Sequence, residues 1–173
     1  MRDELEVLLY GHPMLRETCV KVERIDDELR DLAAAMQQTM IQERGIGLAA
    51  PQVGHPIRML VAEQRGPSGP GAICLVNPEI VFFSHERDSY NEGCLSLPEI
   101  YADVDRPVRI KVRFQGLDGQ ERELEDDGLL SRIIQHEFDH LEGTLFVDHL
   151  SLLRRRLIAK KLKAIASRAR QQV

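Results

Sequence analysis

The clearest pattern in the chain is a helical repeat of apolar residues late in the sequence. Its members follow the three- and four-residue spacing of an α-helix: Leu129, Leu130, Ile133, Ile134, Phe138 and Leu141. Because they cover most of the helix circumference, the repeat predicts a buried helix rather than a surface one. Asp126 or Asp127 is expected to cap its first turn, and Gly143 to end it.

A second helical repeat lies nearer the N-terminus, after Asp26 and Asp27 and before Gly45. Its apolar members are Leu29, Leu32, Ala33, Met36 and Met40. This repeat predicts an amphipathic helix of about four to five turns.

The stretch between the two helices predicts mainly strands. Residues 57–61, 73–76 and 80–83 are short apolar runs, with a turn expected at Asn77 and Pro78 and a surface loop at 64–71. Residues 108–114 alternate between apolar and basic, and 121–125 form a polar, edge-like strand after a hairpin turn at 117–120. The predicted fold is α+β, with antiparallel strands around a buried helix and helices near both termini.

Composition adds that this is an ordinary globular chain. Its 173 residues are 43% hydrophobic and 29% charged, which suits one domain with a sizeable core. No run approaches the roughly 20 apolar residues of a membrane span, and the N-terminal residues lack the features of a secretory signal. Three cysteines are an odd number with no pairing pattern, so we expect a cytoplasmic protein.

Charge divides the chain into an acidic body and a basic end. Residues 149–173 contain no acidic residue, and their basic residues are Arg154, Arg155, Arg156, Lys160, Lys161, Lys163, Arg168 and Arg170. Residues 1–148 therefore carry 28 acidic against 15 basic residues. We expect a catalytic domain over 1–148 and a basic C-terminal helix of the same domain over 149–173. Leucines at helical spacing (Leu150, Leu153 and Leu157), with the stem of Lys161, are expected to pack one face of this helix on the body. An anionic partner for this helix is one interpretation, and a merely solvated terminal helix is the other.

The buried helix also carries candidate chemistry. His136 and His140 are spaced i, i+4, so both rings project from one face and can share a metal ion, with Glu137 placed to move a proton. Two histidines hold a metal weakly, and Cys94 is the best third ligand, although a small buried hydrophobe is the usual fate of a free cysteine. We interpret Cys19 and Cys74 as packing residues.

Three segments together resemble the peptide deformylases. They are 45–52 (Gly-Ile-Gly-Leu-Ala-Ala-Pro-Gln, a Gly/Ala turn without assigned function when read alone), 92–96 (Glu-Gly-Cys-Leu-Ser) and 135–140 (Gln-His-Glu-Phe-Asp-His). They occur in the family's order and at about its spacing. The resemblance implies removal of the N-formyl group from the initiator methionine of new proteins. It also implies a site metal, ferrous iron most often, which Zn²⁺, Ni²⁺ or Co²⁺ can replace.

The resemblance also implies residue roles. Cys94, His136 and His140 would be the ligands, Glu137 the general base and acid, and Gln52 with the Leu95 N–H the oxyanion hole. The substrate-binding residues would be Ile46, Gly47, Gly93, Leu129, Ile133 and His136. Glu92 and Arg106 would form a structural pair, Arg132 would bend outward to the pocket rim, and Tyr101 would lie near the far end of the substrate.

The implied partners are formyl-methionyl nascent peptides and the ribosome, reached through the basic C-terminal helix, for a monomeric enzyme that contacts no membrane. Two alternatives stay open. A zinc endopeptidase would share the helix motif but need a third, acidic ligand downstream, where only Glu142 and Asp148 occur. A non-catalytic, ribosome-associated relative would be expected to have lost Glu137 or a ligand.

Overall fold

The fold contains a five-stranded antiparallel sheet, a two-stranded sheet and three main helices. The computed structural model describes residues 5–66 and 69–173. The helices are α1 (Asp27–Gln42), α2 (Leu129–Leu141) and α3 (Leu152–Ala169). The strands are β1 (Gly47–Ala49), β2 (Met59–Gly66), β3 (Gly69–Phe83), β4 (Arg87–Cys94), β5 (Leu97–Pro107), β6 (Ile110–Gln115) and β7 (Glu121–Asp126). The large sheet has the order β1-β2-β3-β6-β7, and β4 pairs with β5. The predicted α+β class is confirmed.

The large sheet separates two layers of core. Along β2, Met59 and Val61 face the cluster that contains the apolar side of α1, whereas Leu60 and Ala62 face the cluster that contains Ile133 of α2. This is the two-residue alternation of a strand that is covered on both faces. Helix α2 therefore packs against one face of the sheet and lies in the interior.

Both predicted helices form where the sequence places them. Asp26 caps α1 by accepting the N–H of Leu29 at 3.0 Å. Asp126 accepts the N–H groups of Gly128 and Ser131 at the start of α2, at 2.9 and 2.7 Å. Among the described helices, none is long and apolar enough to cross a membrane.

Several strand predictions need correction. The predicted loop at 64–71 is mostly the paired ends of β2 and β3, up to Gly66 opposite Gly69, while its residues 67 and 68 lie outside the described part, as do residues 1–4. The predicted turn at Asn77 is a bulge inside β3, where Asn77 adopts φ +49° and its side chain bonds both backbone groups of Val22. The 45–52 segment is an edge strand, β1, and the short 3₁₀ helix Ala50–Val53, rather than a turn. The polar strand β7 is an edge strand, as predicted.

The C-terminal helix forms, but it packs through a different face from the predicted one. Leu153 and Leu157 were expected to contact the body; they are 69% and 76% exposed. The buried face is instead Leu162, Ile165 and Ala169, and the first two join the core cluster of β5. The core cluster meets the helix only from Ile158 onward, so Leu153 and Leu157 in its first turns stay exposed, while Leu150, just before the helix, is buried as expected.

Candidate metal centre and active site

Helix α2 places His136, Glu137 and His140 in the interior. All three are at most 8% exposed, and the two imidazole rings lie one helical turn apart with centroids 5.2 Å from each other. Within the described residues, Glu137 Oε2 is a buried oxygen without a hydrogen-bond partner. Burying such an oxygen unpaired is costly, so this carboxylate is not placed as a structural group is.

Strand β4 ends at Cys94 and brings a thiol to the two imidazoles. Cys94 Sγ lies 3.3 Å from His140 Nε2, and one ligand atom each from Cys94, His136 and His140 lie within 4.8 Å of one another. One sulfur and two nitrogens are a typical donor set for a divalent transition metal, and three protein ligands leave a position open for a reactant. The residues fit a divalent metal ion.

The two remaining cysteines are unsuited to metal binding. Burial raises the pKa of the Cys19 thiol to about 11 and that of Cys74 to about 12. Since the thiolate is the form that binds a metal, both act as packing residues in the core clusters.

Glu92 fixes the orientation of His136. Its carboxylate accepts from His136 Nδ1 at 2.9 Å and from Arg106 at 2.6 and 3.0 Å. Although burial opposes its charge, the hydrogen bonds from His136 and Arg106 outweigh burial and lower the pKa of Glu92 to about 2. An ionised carboxylate only accepts, so Nδ1 carries the proton and Nε2 is left for the metal. The expected Glu92–Arg106 pair is confirmed.

Arg132 does not bend outward, and that expectation was wrong. It is 9% exposed, and its guanidinium donates to Glu92 Oε1 at 3.2 Å, to the Val104 carbonyl at 2.9 Å and to the Asp88 carbonyl at 2.8 Å. Three acceptors on the β4–β5 pair hold the side chain inward, which outweighs the cost of burying its charge.

Gln52 presents an oriented amide to the site. Its Oε1 accepts the Ala49 N–H at 2.8 Å, so its NH₂ group must point the other way, toward Cys94 Sγ at 3.4 Å and Ser96 Oγ at 3.1 Å. Ser96 lies in the cysteine segment, yet nothing in the sequence pattern alone assigns it this contact. Leu95 lies beside it in the turn between β4 and β5.

These groups line a cavity of about 450 Å³. Its walls include every residue predicted for catalysis or substrate binding, together with the predicted ligand Cys94: Ile46, Gly47, Gln52, Gly93, Cys94, Leu95, Leu129, Ile133, His136 and Glu137. Tyr90, Arg132 and Tyr101 line it too. Tyr90 has no predicted role, because β4 lacks the apolar alternation that indicates a strand.

Two glycines keep this cavity open. A Cβ at Gly47 would collide with Glu137 Oε1 and would lie 2.7 Å from Ile133 Cγ2, and one at Gly93 would lie 2.6 Å from the Tyr101 ring. Side chains there would therefore displace Glu137 or Tyr101. The backbone of β1 therefore approaches α2 closely at Gly47.

Burial also sets the protonation of the site. It raises the pKa of Glu137 to about 7, against an opposing effect of His136. Burial and the neighbouring His136 lower the pKa of His140. For His136, burial is outweighed by hydrogen bonds to Cys94 and Glu92, and its pKa is raised. Since a ligating imidazole must be neutral, metal binding at this site is expected to release protons.

Comparison with known proteins agrees with the resemblance to the peptide deformylases. A sequence model of the family described as polypeptide deformylase matches residues 4–156. The chain belongs to this family. A peptide deformylase of Brucella suis is 48% identical over 164 residues, which cover 93% of each chain. One of Mesorhizobium japonicum is 44% identical over 161 residues and 92% of each chain.

Solved structures of peptide deformylases share the fold. One from Arabidopsis thaliana superposes with a TM-score of 0.91 at 35% identity, covering 98% of this chain and 94% of that one. One from Thermotoga maritima gives 0.81 at 39% identity, covering 86% and 99%. The chain is thus a metal-dependent hydrolase that removes the N-formyl group from the N-terminal methionine of nascent proteins. Neither alternative fits: Cys94, and no downstream acid, converges with the two histidines, and Glu137 is present.

Proposed function

We propose that Cys94, His136 and His140 bind ferrous iron in the cell, and that Zn²⁺, Ni²⁺ or Co²⁺ can take its place. The convergence of Cys94 Sγ with the two imidazoles supports this proposal most strongly, since imidazole suits iron, nickel and zinc and a thiolate is a common ligand of iron and zinc. When bound, the metal supplies Lewis-acid activation of water at neutral pH.

Glu137 performs the proton transfers in this proposal. It accepts a proton from the attacking water as the new C–O bond forms, and passes it to the leaving amine as the C–N bond breaks. Formate and a free methionine amine result. The unpartnered Oε2 and the raised pKa of this carboxyl support the role, because a group that both accepts and donates a proton works best near the operating pH.

Gln52 and the backbone N–H of Leu95 are the proposed donors to the developing oxyanion. The Ala49 N–H already occupies Gln52 Oε1, so the amide cannot turn its oxygen toward the reacting carbonyl. Such preset donors are typically worth about 3 kcal/mol each in the transition state.

The substrate side chain is proposed to lie against Leu129, Ile133 and His136, while Ile46, Gly47 and Gly93 contact the peptide backbone. All six line the cavity. Little room remains between Gly47 and Glu137, which suits the formyl group, the smallest acyl group.

Formyl-Met peptides should exceed matched formyl-Ala peptides in kcat/KM by more than about 100-fold. Alanine leaves the pocket unfilled, and each missing group in a hydrophobic pocket costs about 1–3 kcal/mol. Steady-state formate release on the two peptides measures the ratio. Equal values would contradict a methionine pocket along α2.

We propose further that α3 docks on the ribosome, and that the enzyme acts as a cytoplasmic monomer. The basic residues of α3 are exposed, while Leu162 and Ile165 anchor the helix in the core. That anchoring also supports treating 149–173 as part of the catalytic domain. Three leucines, Leu152, Leu153 and Leu157, are exposed beside the arginines and can add apolar contact.

Reversing charge on α3 should weaken ribosome binding without affecting hydrolysis of a short free peptide. Lys160→Glu with Lys163→Glu changes two exposed residues and keeps the buried face, whereas truncation would remove Leu162 and Ile165 from the core. Co-sedimentation at low salt should fall steeply, because phosphate contacts dominate such binding. The control pair Lys21→Glu with Arg65→Glu carries the same charge change outside α3. If the two double variants co-sediment with ribosomes equally well, α3 has only a structural role.

A further inference from the structure

The catalytic cavity has a smaller neighbour. A second cavity of about 220 Å³ lies between the start of α2 and strands β4 and β5. Three residues line both cavities: Tyr90, Leu129 and Arg132. The two spaces therefore meet at a common wall, and Arg132 is its longest side chain.

The Arg132 guanidinium is held firmly in this wall. It spans from Glu92 Oε1 to the Asp88 carbonyl, and it lies over the Tyr90 ring at 5.7 Å from the ring centroid. Asp88 itself lines the second cavity. A side chain with partners on both sides of the wall has little freedom to swing away.

Arg132 and His136 lie on the same face of α2, and both line the catalytic cavity. His136 marks the metal end, and Arg132 lies one helical turn of about 5.4 Å nearer the helix start. An extended methionine side chain has a comparable length. A chain that follows this face past His136 and Ile133 therefore ends at Arg132.

We propose that Arg132 determines substrate specificity by setting the length of side chain that the pocket accepts. The proposal rests on the methionine pocket proposed above. Unbranched side chains of about four heavy atoms fit in the catalytic cavity between the metal site and the Arg132 guanidinium. Longer side chains would have to enter the second cavity, and the guanidinium prevents this. Replacing Arg132 by alanine joins the two spaces.

A second arginine provides a matched control. Arg106 also binds Glu92, at 2.6 Å, but does not line either cavity. If Arg132 acts only by holding Glu92, substitutions of the two arginines should have the same consequences. If Arg132 limits chain length, only its own substitution should change the preference between long and short side chains.

The test compares formyl-norleucyl and formyl-2-aminooctanoyl peptides, whose side chains differ by two methylenes. In Arg132→Ala the ratio of kcat/KM, long over short, should rise about tenfold or more, since each methylene moved from water is worth about fourfold. Arg106→Lys should lower both rates together and keep the ratio of the wild type. The wild type should prefer the shorter chain.

Calorimetric binding of the two deformylated product peptides should show the same change in ratio without turnover. A rise of less than threefold in Arg132→Ala, or an equal rise in Arg106→Lys, would overturn the proposal. So would a wild type that favours the longer chain, a measurement that needs no variant to fold. Failure of the wild type to hydrolyse either peptide would instead count against the proposed function, and the binding ratio would still decide the role of Arg132.

Discussion

Replacing Glu137 by glutamine is expected to lower kcat for formyl-Met peptides by about 10²–10⁴-fold, the usual worth of a positioned general base. The amide keeps the size of the side chain in its tight position against Gly47, but it cannot accept a proton. Metal content should stay at the wild-type level, because the proposed ligands are Cys94, His136 and His140. KM should change little, as expected for a group that acts mainly in the transition state.

A control substitution at the C-terminal end of α2 distinguishes loss of the general base from a general disturbance of the helix. Glu142→Gln removes a carboxylate that pairs with Arg58 at 2.6 Å and does not line the catalytic cavity. Its kcat should stay close to that of the wild type. A Glu137→Gln protein that has lost its metal, or that keeps most of its kcat, would contradict the role of Glu137.

Replacing Cys94 by alanine is expected to weaken metal binding by more than about 100-fold and to abolish activity in dilute metal. Loss of a residue that only supports a ligand costs about 10–100-fold, and loss of a ligand should cost more. Competition with a chelator, read by metal analysis, measures the affinity.

Cys74→Ala is the matched control for the cysteine substitution. The thiol of Cys74 lies in the core with a pKa raised by burial to about 12. Its loss should reduce the free energy of unfolding while leaving metal affinity unchanged. Equal metal affinity in Cys94→Ala and the wild type would remove Cys94 from the ligand set.

The parts of the fold that are regular in sequence were predictable. Helix α2 repeats apolar residues at helical spacing, and the strand that begins at Ile110 alternates apolar and basic residues. Each pattern therefore indicates directly which side chains of the element are buried. Helix α1 was predicted for the same reason. The convergence of Cys94 with His136 and His140 was also predictable, because histidines spaced i, i+4 on a helix share one face and the cysteine segment supplies a thiol suited to the same metal.

The parts that depend on pairing partners were not predictable. Strand β4 is mostly exposed and polar, and it is defined by its register with β5 rather than by a pattern of its own. The bulge at Asn77 likewise depends on bonds to Val22, which is distant in sequence.

Arg132 illustrates the same limit inside the site. A charged residue on an otherwise apolar helix face suggests a side chain that reaches solvent. Its inward position follows from acceptors on β4 and β5, at Asp88, Glu92 and Val104, which the fold brings to it. No local pattern along α2 contains that information.

The most direct test of the account is formate release from a formyl-Met tripeptide, measured on anaerobically purified protein together with metal analysis of the same sample. Formate and free methionine amine should appear in equal amounts, at a rate proportional to bound metal. Iron-loaded protein should lose activity in air, and a nickel-loaded form should keep it. Fully metal-loaded protein that releases no formate, or an unchanged rate after the metal is removed, would contradict the account.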